Sequence, residues 1–189
     1  MRDAVTVAKD LLGKIFVYNT PGQVLAARIV EVEAYKGSVD EAAHSFSGVS
    51  ERNEVMFRTG GFLYVYFIYG VHFCCNVVTG KEGIGDACLI RGMEPLEGID
   101  IFSKNRFNRN DLSEKEIIML LNGPGKICRG FNIDKRLNGI DLTGNTIYIL
   151  NADKIKKSEI VTVKRVGISK SKDLPWRFYI KDNKYISKK

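Results

Sequence analysis

The sequence predicts one α+β domain, residues 1–189, built around a curved, barrel-like antiparallel β-sheet with helices at its margin and a protruding β-hairpin. A chain of 189 residues is long enough to bury one hydrophobic core. Short runs rich in β-branched and aromatic residues recur along the chain. The density of these runs, two of which meet in a hairpin, favours an α+β arrangement.

The first elements follow from stop and turn signals. A helix is predicted at 3–12, because Gly13 is placed as its stop. Strands are predicted at 14–19 and 24–35, since Thr20-Pro21-Gly22 forms a turn between them.

A hairpin is predicted after a polar loop at 36–50 and a brief helix at 50–56. Gly60-Gly61 marks the turn before it. Two β-rich runs between 62 and 78 then meet at Tyr69-Gly70-Val71. We therefore expect Tyr69 at the hairpin tip.

The second half of the sequence predicts a mixture of helices and strands. A strand at 87–93 carries Arg91 and is expected to end at Glu94-Pro95. The third helix of this half has Pro124 in its first turn, a position that proline favours. The predicted helices lie at 96–107, 113–121 and 124–130, and the remaining strands at 146–150, 160–168 and 177–180.

Composition excludes several classes of protein. No apolar run approaches the roughly 18 residues of a membrane span, and the first residues lack the pattern of a secretory signal. The four cysteines, Cys74, Cys75, Cys88 and Cys128, show no Cys-x-x-Cys spacing, and the chain has only two histidines. We expect a cytoplasmic protein with reduced, buried cysteines and no metal site.

The net charge favours a polyanionic partner. A formal charge of +7 and a pI near 9.2 suit a surface that neutralises phosphates. Lysines between 154 and 172 are equally compatible with an ordinary solvated surface.

The segment Arg28 to Tyr35 carries the strongest chemical signal. Side chains alternate along a strand, so Ile29, Glu31, Glu33 and Tyr35 are expected on one side, with the small apolar residues between them facing the core. Two carboxylates and a tyrosine would then face a groove. The alternation does not distinguish Glu31 from Glu33.

A second aromatic segment lies in the predicted hairpin. Tyr64, Tyr66 and Ile68 share one side of the first arm, whereas Tyr69 belongs to the other side. One tyrosine can therefore line a pocket while another projects from the surface. Core packing is the commoner role of a single strand aromatic.

Taken together, these residues resemble the single-domain alkyladenine (3-methyladenine) DNA glycosylases. The resemblance covers most of the chain and is densest from Ala27 to Gly98. The matching motifs are Glu-Val-Glu-Ala-Tyr (31–35), Asp-Glu-Ala-Ala-His (40–44), Arg-Asn (52–53), Tyr-Val-Tyr-Phe-Ile-Tyr-Gly (64–70), Asn76, Leu-Ile-Arg (89–91), Glu-Pro-Leu-Glu-Gly (94–98), Gly-Pro-Gly-Lys (123–126), Arg-Val-Gly (165–167) and Arg-Phe-Tyr (177–179). Segments 133–164 and 169–174 match poorly, so no DNA contacts are assigned there.

The resemblance implies hydrolysis of the bond between a damaged purine and deoxyribose in duplex DNA. The substrates of the family are alkylated or deaminated purines, among them 3-methyladenine, hypoxanthine, 7-methylguanine and ethenoadenine. The resemblance also assigns to Glu33 the activation of the attacking water, with Arg91 and the main-chain carbonyl of Val166 holding that water. Glu31 is left with a supporting role. An isolated arginine such as Arg91 would otherwise be interpreted as a surface residue in an ion pair.

Base recognition follows from the same resemblance. The extruded base would stack between the rings of Tyr35, His44 and Tyr66, and Asn76 would crowd the exocyclic amino group of guanine. Tyr69 would fill the gap left in the duplex.

Two cations complete the implied DNA contacts. Lys126, behind Gly123-Pro124-Gly125, could bind a phosphate at a helix N-terminus, and Arg52 could contact DNA or serve a structural role. No lysine is placed as a Schiff-base nucleophile, so we expect a monofunctional enzyme without lyase activity. We also expect a monomer that needs no metal or organic cofactor.

Two other classes of protein share part of this pattern. A non-catalytic module that recognises damaged bases would keep the tyrosines but would not need Glu33 with Arg91. A single-stranded nucleic-acid binder would use aromatic stacking and positive charge without needing Tyr69 as a wedge.

Overall fold

The computed structural model describes residues 2–188, so Met1 and Lys189 of the predicted domain lie outside the described residues. Four α-helices and eight β-strands form within this range. The helices are α1 (Ala4–Leu11), α2 (Ile99–Phe107), α3 (Glu114–Ile118) and α4 (Pro124–Phe131). The strands are β1 (Ile15–Thr20), β2 (Gln23–Tyr35), β3 (Leu63–Ile68), β4 (His72–Thr79), β5 (Asp86–Glu97), β6 (Ile147–Leu150), β7 (Ile160–Val163) and β8 (Arg177–Ile180).

The strands form one curved antiparallel sheet. Its main path runs β3-β4-β5-β2-β1-β6, and β8 joins it by pairing with β2 and with β7. The central strand β2 pairs with β5 along most of its length, with β1 near its start and with β8 near its end. The predicted α+β class with a curved antiparallel sheet is confirmed.

Three register shifts interrupt the pairing of β2 with β5, and two of them lie beside Glu31. Ile29 pairs with Met93 and Glu31 with Gly92, so Val30 is an extra residue on β2; the next shift leaves Arg91 as an extra residue on β5. A bulge changes which face the following side chains occupy. The prediction that Ile29 shares a side with Glu31 is therefore wrong, because Ile29 packs in the main core cluster.

Two further predictions about strand ends are wrong. β5 does not end at Glu94-Pro95 but continues to Glu97, because Pro95 pairs with Ala27 next to a register shift, where a missing N–H is tolerated. β7 stops at Val163 rather than at residue 168, and among residues 164–168 only Arg165 is buried.

Helices α1, α2 and α3 are shorter than predicted and α4 extends one residue further, but all four occur at the predicted places. Asp3 caps α1 by accepting from the N–H groups of Val5 and Thr6, and Ser113 forms a capping box with Glu116 at α3. The brief helix predicted at 50–56 is a 3₁₀ turn at Glu54–Phe57. Between residues 2 and 188 no helix is long and apolar enough to cross a membrane.

The main core lies between the sheet and helices α1, α2 and α4. Phe131 of α4 packs edge-on against Phe16 of β1 and Phe102 of α2, with ring centroids 5.2 and 4.8 Å apart. All three rings are fully buried. This packing fixes α4 against the sheet, and the first turn of α4 then borders the cavity described next.

Candidate active site

A cavity of about 670 Å³ opens at the end of β2, beside the β3–β4 hairpin. The hairpin, the 41–44 segment, the start of α4 and residues 166–170 line it. A volume of this size lies within the range of about 300 to 1,000 Å³ typical of small-molecule sites. The cavity can therefore enclose a group as large as a nucleotide base.

Glu33 is fully buried beneath this cavity and is held from three directions. The main-chain N–H of Val166 donates to its Oε1 at 2.8 Å, and the hydroxyl of Tyr35 donates to its Oε2 at 2.8 Å. Arg91 Nη1 lies 3.3 Å from Oε2. All three partners line the cavity, so a molecule inside it would lie close to the carboxylate.

Opposing effects set the pKa of Glu33. Burial raises the pKa most strongly, whereas Arg91, the Val166 N–H and the Tyr35 hydroxyl lower it, and nearby Glu31 raises it slightly. The net result is a pKa above the ordinary value of 4.5. A carboxylate whose pKa is raised toward neutrality is a better proton acceptor for a general-base step.

Arg91 is buried rather than a surface residue. Its side chain is 10% exposed and lies between Glu33 and Glu31, with Nε 3.5 Å from Glu31 Oε1. Nη1 also lies 3.5 Å from the carbonyl oxygen of Val166. The structure thus brings together Glu33, Arg91 and Val166, and it places both main-chain polar groups of Val166 at the site.

Tyr66 and His44 form one aromatic wall. Their ring centroids are 4.5 Å apart at 84°, so the two rings are in direct contact, edge to face. Tyr64 stacks behind Tyr66 at 5.3 Å, and its hydroxyl lies 3.2 Å from His44 Nδ1. The sequence prediction did not assign this supporting role to Tyr64, although strand alternation had put it on the same face as Tyr66.

Tyr35 belongs to a separate part of the cavity lining. Its ring has the Arg165 guanidinium 4.5 Å from its centroid, while its hydroxyl binds Glu33. His44 has a lowered pKa because of desolvation and the charge of nearby Arg52. Its imidazole is therefore uncharged at neutral pH.

Tyr69 projects from the hairpin tip, as the sequence predicted. Its side chain is 78% exposed. Both Tyr69 and Gly70 have positive φ, at 55° and 67°, as the central residues of a tight hairpin turn of the I′ kind require. A tyrosine in this backbone conformation is unusual, and strain of this kind clusters at functional sites.

The two predicted DNA-binding cations differ in their surroundings. Arg52 donates to the main-chain carbonyl of Phe67 at 3.1 Å and lies over the Tyr66 ring, so it braces the hairpin. Lys126 borders the cavity and bonds Asn122 at 2.7 Å. Burial and the charge of Arg106 lower the pKa of Lys126. Arg106 and Arg129 line the same cavity, so positive charge is concentrated at this side of it.

Asn76 does not line the cavity. It is buried on β4, where it pairs with Tyr64 of β3 and Leu89 of β5. Cys74, two residues earlier on the same strand, does line it. The role predicted for Asn76 in excluding guanine therefore stays a prediction.

A buried ion pair that the sequence did not reveal supports the site. Arg165 binds Asp40 with two contacts of 2.5 and 2.8 Å, and both side chains are inaccessible to solvent. Arg165 also donates to the carbonyl oxygen of Ala34 at 3.0 Å. Because Val166 follows Arg165 directly, this pair fixes the main chain that donates to Glu33.

None of the described residues, 2–188, forms a group of three or more histidine, cysteine, aspartate or glutamate side chains placed to hold a metal ion. The four cysteines are buried free thiols. Cys75 lies in the main core and Cys74 faces the cavity, so the two adjacent residues point to opposite faces of β4.

Comparison with known proteins places these residues in a family. A family model described as methylpurine-DNA glycosylase matches residues 1–184. The chain is 49% identical over 194 residues to a protein named "Putative 3-methyladenine DNA glycosylase" from Desulfitobacterium hafniense, with 100% of this chain and 95% of the relative covered. Relatives of the same name from Clostridium novyi and Carboxydothermus hydrogenoformans are 48% and 49% identical, each over 100% of this chain and 95% of the relative. The chain belongs to the methylpurine-DNA glycosylase family.

Proposed function

We propose that this protein is a monofunctional DNA glycosylase that extrudes damaged purines from duplex DNA and hydrolyses their N-glycosidic bond, which initiates base excision repair. The family supports an N-glycosylase activity on DNA. The observation that carries the proposal is the arrangement of Glu33, whose carboxylate is held by Tyr35, Arg91 and Val166 at an aromatic cavity.

Glu33 acts as general base in the proposed reaction. A water bound between its carboxylate, Arg91 and the Val166 carbonyl attacks C1′ of the nucleotide while the bond from C1′ to the purine nitrogen breaks. Glu33 accepts the proton of the water, and the electron pair of the broken bond leaves with the base. The negative charge of the Glu33 carboxylate also stabilises the positive charge that develops on the sugar.

The aromatic residues suit cationic, alkylated purines. An alkylated ring nitrogen such as that of 3-methyladenine carries positive charge, which is attracted to the faces of electron-rich rings. The base would stack on the wall made by Tyr66 and His44, with Tyr35 on its other side. Because the His44 imidazole is uncharged at neutral pH, it does not repel such a base.

Neutral lesions would bind through stacking alone. Stacking contributes about 1 to 3 kcal/mol per base and depends little on the substituents at the base edge. The proposed substrates are therefore 3-methyladenine, 7-methylguanine, ethenoadenine and hypoxanthine. Asn76 is proposed to exclude guanine through its exocyclic amino group.

Tyr69 and two basic residues are proposed to contact the duplex. Extrusion of a nucleotide leaves a gap in the base stack, and the exposed Tyr69 at the hairpin tip is placed to enter it from the minor groove. Lys126 and Arg52 are proposed to contact the phosphates on either side. We propose that the enzyme acts as a monomer and needs no cofactor.

A single-turnover assay tests the chemical proposal. Release of hypoxanthine and 3-methyladenine from duplex DNA is measured for the wild type, Glu33→Gln and the control Glu97→Gln, which alters an exposed carboxylate on β5. We expect Glu33→Gln to keep lesion binding and lose release, and Glu97→Gln to behave as the wild type.

Other outcomes identify the rival functions. Lesion binding without release by the wild type would favour a damage-recognition module. Equal binding of undamaged single strands would favour a single-stranded DNA binder. Strand cleavage without alkali, together with a complex trapped by borohydride, would contradict the monofunctional assignment.

A further inference from the structure

The segment 183–188 packs against Glu31. The Ser187 N–H donates to Glu31 Oε2 at 2.5 Å, and the Ser187 hydroxyl donates to Oε1 at 2.9 Å. Arg177 Nη1 bonds the same Oε1 at 2.9 Å and the carbonyl oxygen of Lys188 at 2.8 Å. Glu31 is fully buried, so these contacts replace its water of solvation.

Ser187 also contacts Arg91. Arg91 Nη2 lies 3.4 Å from the Ser187 hydroxyl oxygen, while Nη1 of the same guanidinium lies 3.3 Å from Glu33 Oε2. A hydroxyl can donate one hydrogen bond and accept others. Ser187 can therefore donate to Glu31 and accept from Arg91, which links the segment 183–188 to Glu33 through a single arginine.

Ser187 accepts one of the three hydrogen bonds that the Arg91 guanidinium donates. The Arg91 Nε atom is buried without a hydrogen-bond partner, although Glu31 Oε1 is 3.5 Å away. The remaining contacts of the guanidinium are all 3.3 Å or longer. Glu31 alone thus does not fix the orientation of Arg91.

The local backbone is shaped to admit the segment 183–188. A side chain at Gly92, next to Arg91, would lie 2.9 Å from the carbonyl oxygen of Tyr185 and 3.1 Å from Glu31 Cβ. Ile186 is buried and holds the segment in place. Ser187 lies beyond the residues that the family model matches, which end at 184.

We propose that Ser187 is a positioning residue for the hydrolytic step: together with Glu31 it orients Arg91 so that Arg91 can hold Glu33 ionised and bind the attacking water. This proposal rests on the proposed function of Glu33 and Arg91. Ser187 itself touches neither the base nor the reacting atoms, so its loss acts on catalysis and leaves lesion binding unchanged.

The test compares Ser187→Ala with Ser187→Thr and with the control Ser158→Ala, which alters an exposed serine in the 157–159 turn. Single-turnover hypoxanthine release is measured from pH 5 to pH 9. Affinity is measured with duplex DNA carrying a 2′-fluoro hypoxanthine nucleotide that resists hydrolysis, and thermal unfolding is followed in parallel.

Ser187→Ala is expected to lower the release rate about five- to tenfold, as the loss of one ordinary hydrogen bond that acts through Arg91 predicts. The acidic limb of its pH–rate profile should move to higher pH, because a misplaced Arg91 no longer lowers the pKa of Glu33 as effectively. Affinity should change less than twofold. Ser187→Thr, which keeps the hydroxyl and the N–H, should restore the rate, and Ser158→Ala should match the wild type.

Three results would overturn the proposal: an unchanged rate and pH profile in Ser187→Ala, parallel losses of rate, affinity and melting temperature, or a Ser187→Thr enzyme as slow as Ser187→Ala. Failure of the proposed function is distinguishable. In that case the wild type itself releases no base, or Glu33→Gln releases it as fast as the wild type.

Discussion

Replacement of Tyr35 by phenylalanine separates two roles that this residue combines. The ring lines the cavity, while the hydroxyl donates to Glu33 Oε2 at 2.8 Å. Tyr35→Phe keeps the ring and removes the hydrogen bond. We expect the substitution to raise the pKa of Glu33, because the hydroxyl is one of the groups that lower it.

The size of the effect follows from the charge of the acceptor. A hydrogen bond to an ionised group contributes about 1.5 to 3 kcal/mol, and one pKa unit corresponds to about 1.4 kcal/mol. If the hydroxyl bonds the carboxylate more strongly than the protonated acid by that amount, its loss raises the pKa of Glu33 by about one to two pH units. Arg91 and the Val166 N–H remain, so Glu33 still ionises.

The assay is the pH dependence of single-turnover hypoxanthine release. The proposed mechanism requires ionised Glu33, so the acidic limb should move to higher pH by about one to two pH units in Tyr35→Phe, with little change on the alkaline side. Tyr66→Phe is the matched control, because its hydroxyl lies beside Cys74 instead of Glu33. An acidic limb that stays in place in Tyr35→Phe, or that moves equally in Tyr66→Phe, would refute the reasoning.

Stability gives a second check with a definite sign. The pKa of Glu33 in the folded protein already lies above its ordinary value, so folding favours the protonated form and this contribution is lost as pH rises through the folded-state pKa. Tyr35→Phe raises that pKa further. The extra destabilisation should therefore be small in acid, and above the new pKa it should reach about 1.4 kcal/mol for each pH unit by which the pKa has risen.

Two other substitutions test separate parts of the site. Asp40→Asn leaves the Arg165 charge buried without its counter-ion and should lower the free energy of unfolding by about 3 to 5 kcal/mol, measured by urea denaturation; a loss below about 1 kcal/mol would contradict the buried pairing. Tyr69→Ala should weaken binding of lesion-containing duplex at least about tenfold, as loss of about 1.4 kcal/mol of stacking would, while melting temperature stays within a few degrees. Full retention of binding and excision by Tyr69→Ala would reject the wedge.

The local pattern of the sequence was sufficient to predict most strands and the tyrosine hairpin. β8 matches its prediction, β2 begins one residue earlier than predicted, and Tyr69 lies at the tip. These features depend on neighbouring residues alone. The bulge at Val30 does not, because it arises from pairing with β5, and it reverses the predicted side of Ile29.

The candidate site was predictable only as far as the family resemblance assigned its residues. Glu33, Arg91 and Val166 do come together, but alternation alone could not rank Glu33 above Glu31. The Arg165 pair with Asp40 joins residues 125 positions apart, and no local pattern marks such a contact. The contacts of Ser187 could not be predicted either, since a single serine in a lysine-rich segment forms no motif.

Each of the two buried glutamates is far along the chain from a residue that binds it, and this separation has a consequence for biosynthesis. Val166 follows Glu33 by 133 residues, and Ser187 follows Glu31 by 156. Contacts of such long range are costly to close early and form late in folding. During translation strands β1 to β5, which include the hairpin, can assemble first, but the carboxylate network acquires Val166 and Ser187 only after these residues have left the ribosome. A nascent chain stalled before residue 166 would thus carry the aromatic wall of Tyr66 and His44 and still lack the Val166 partner of Glu33.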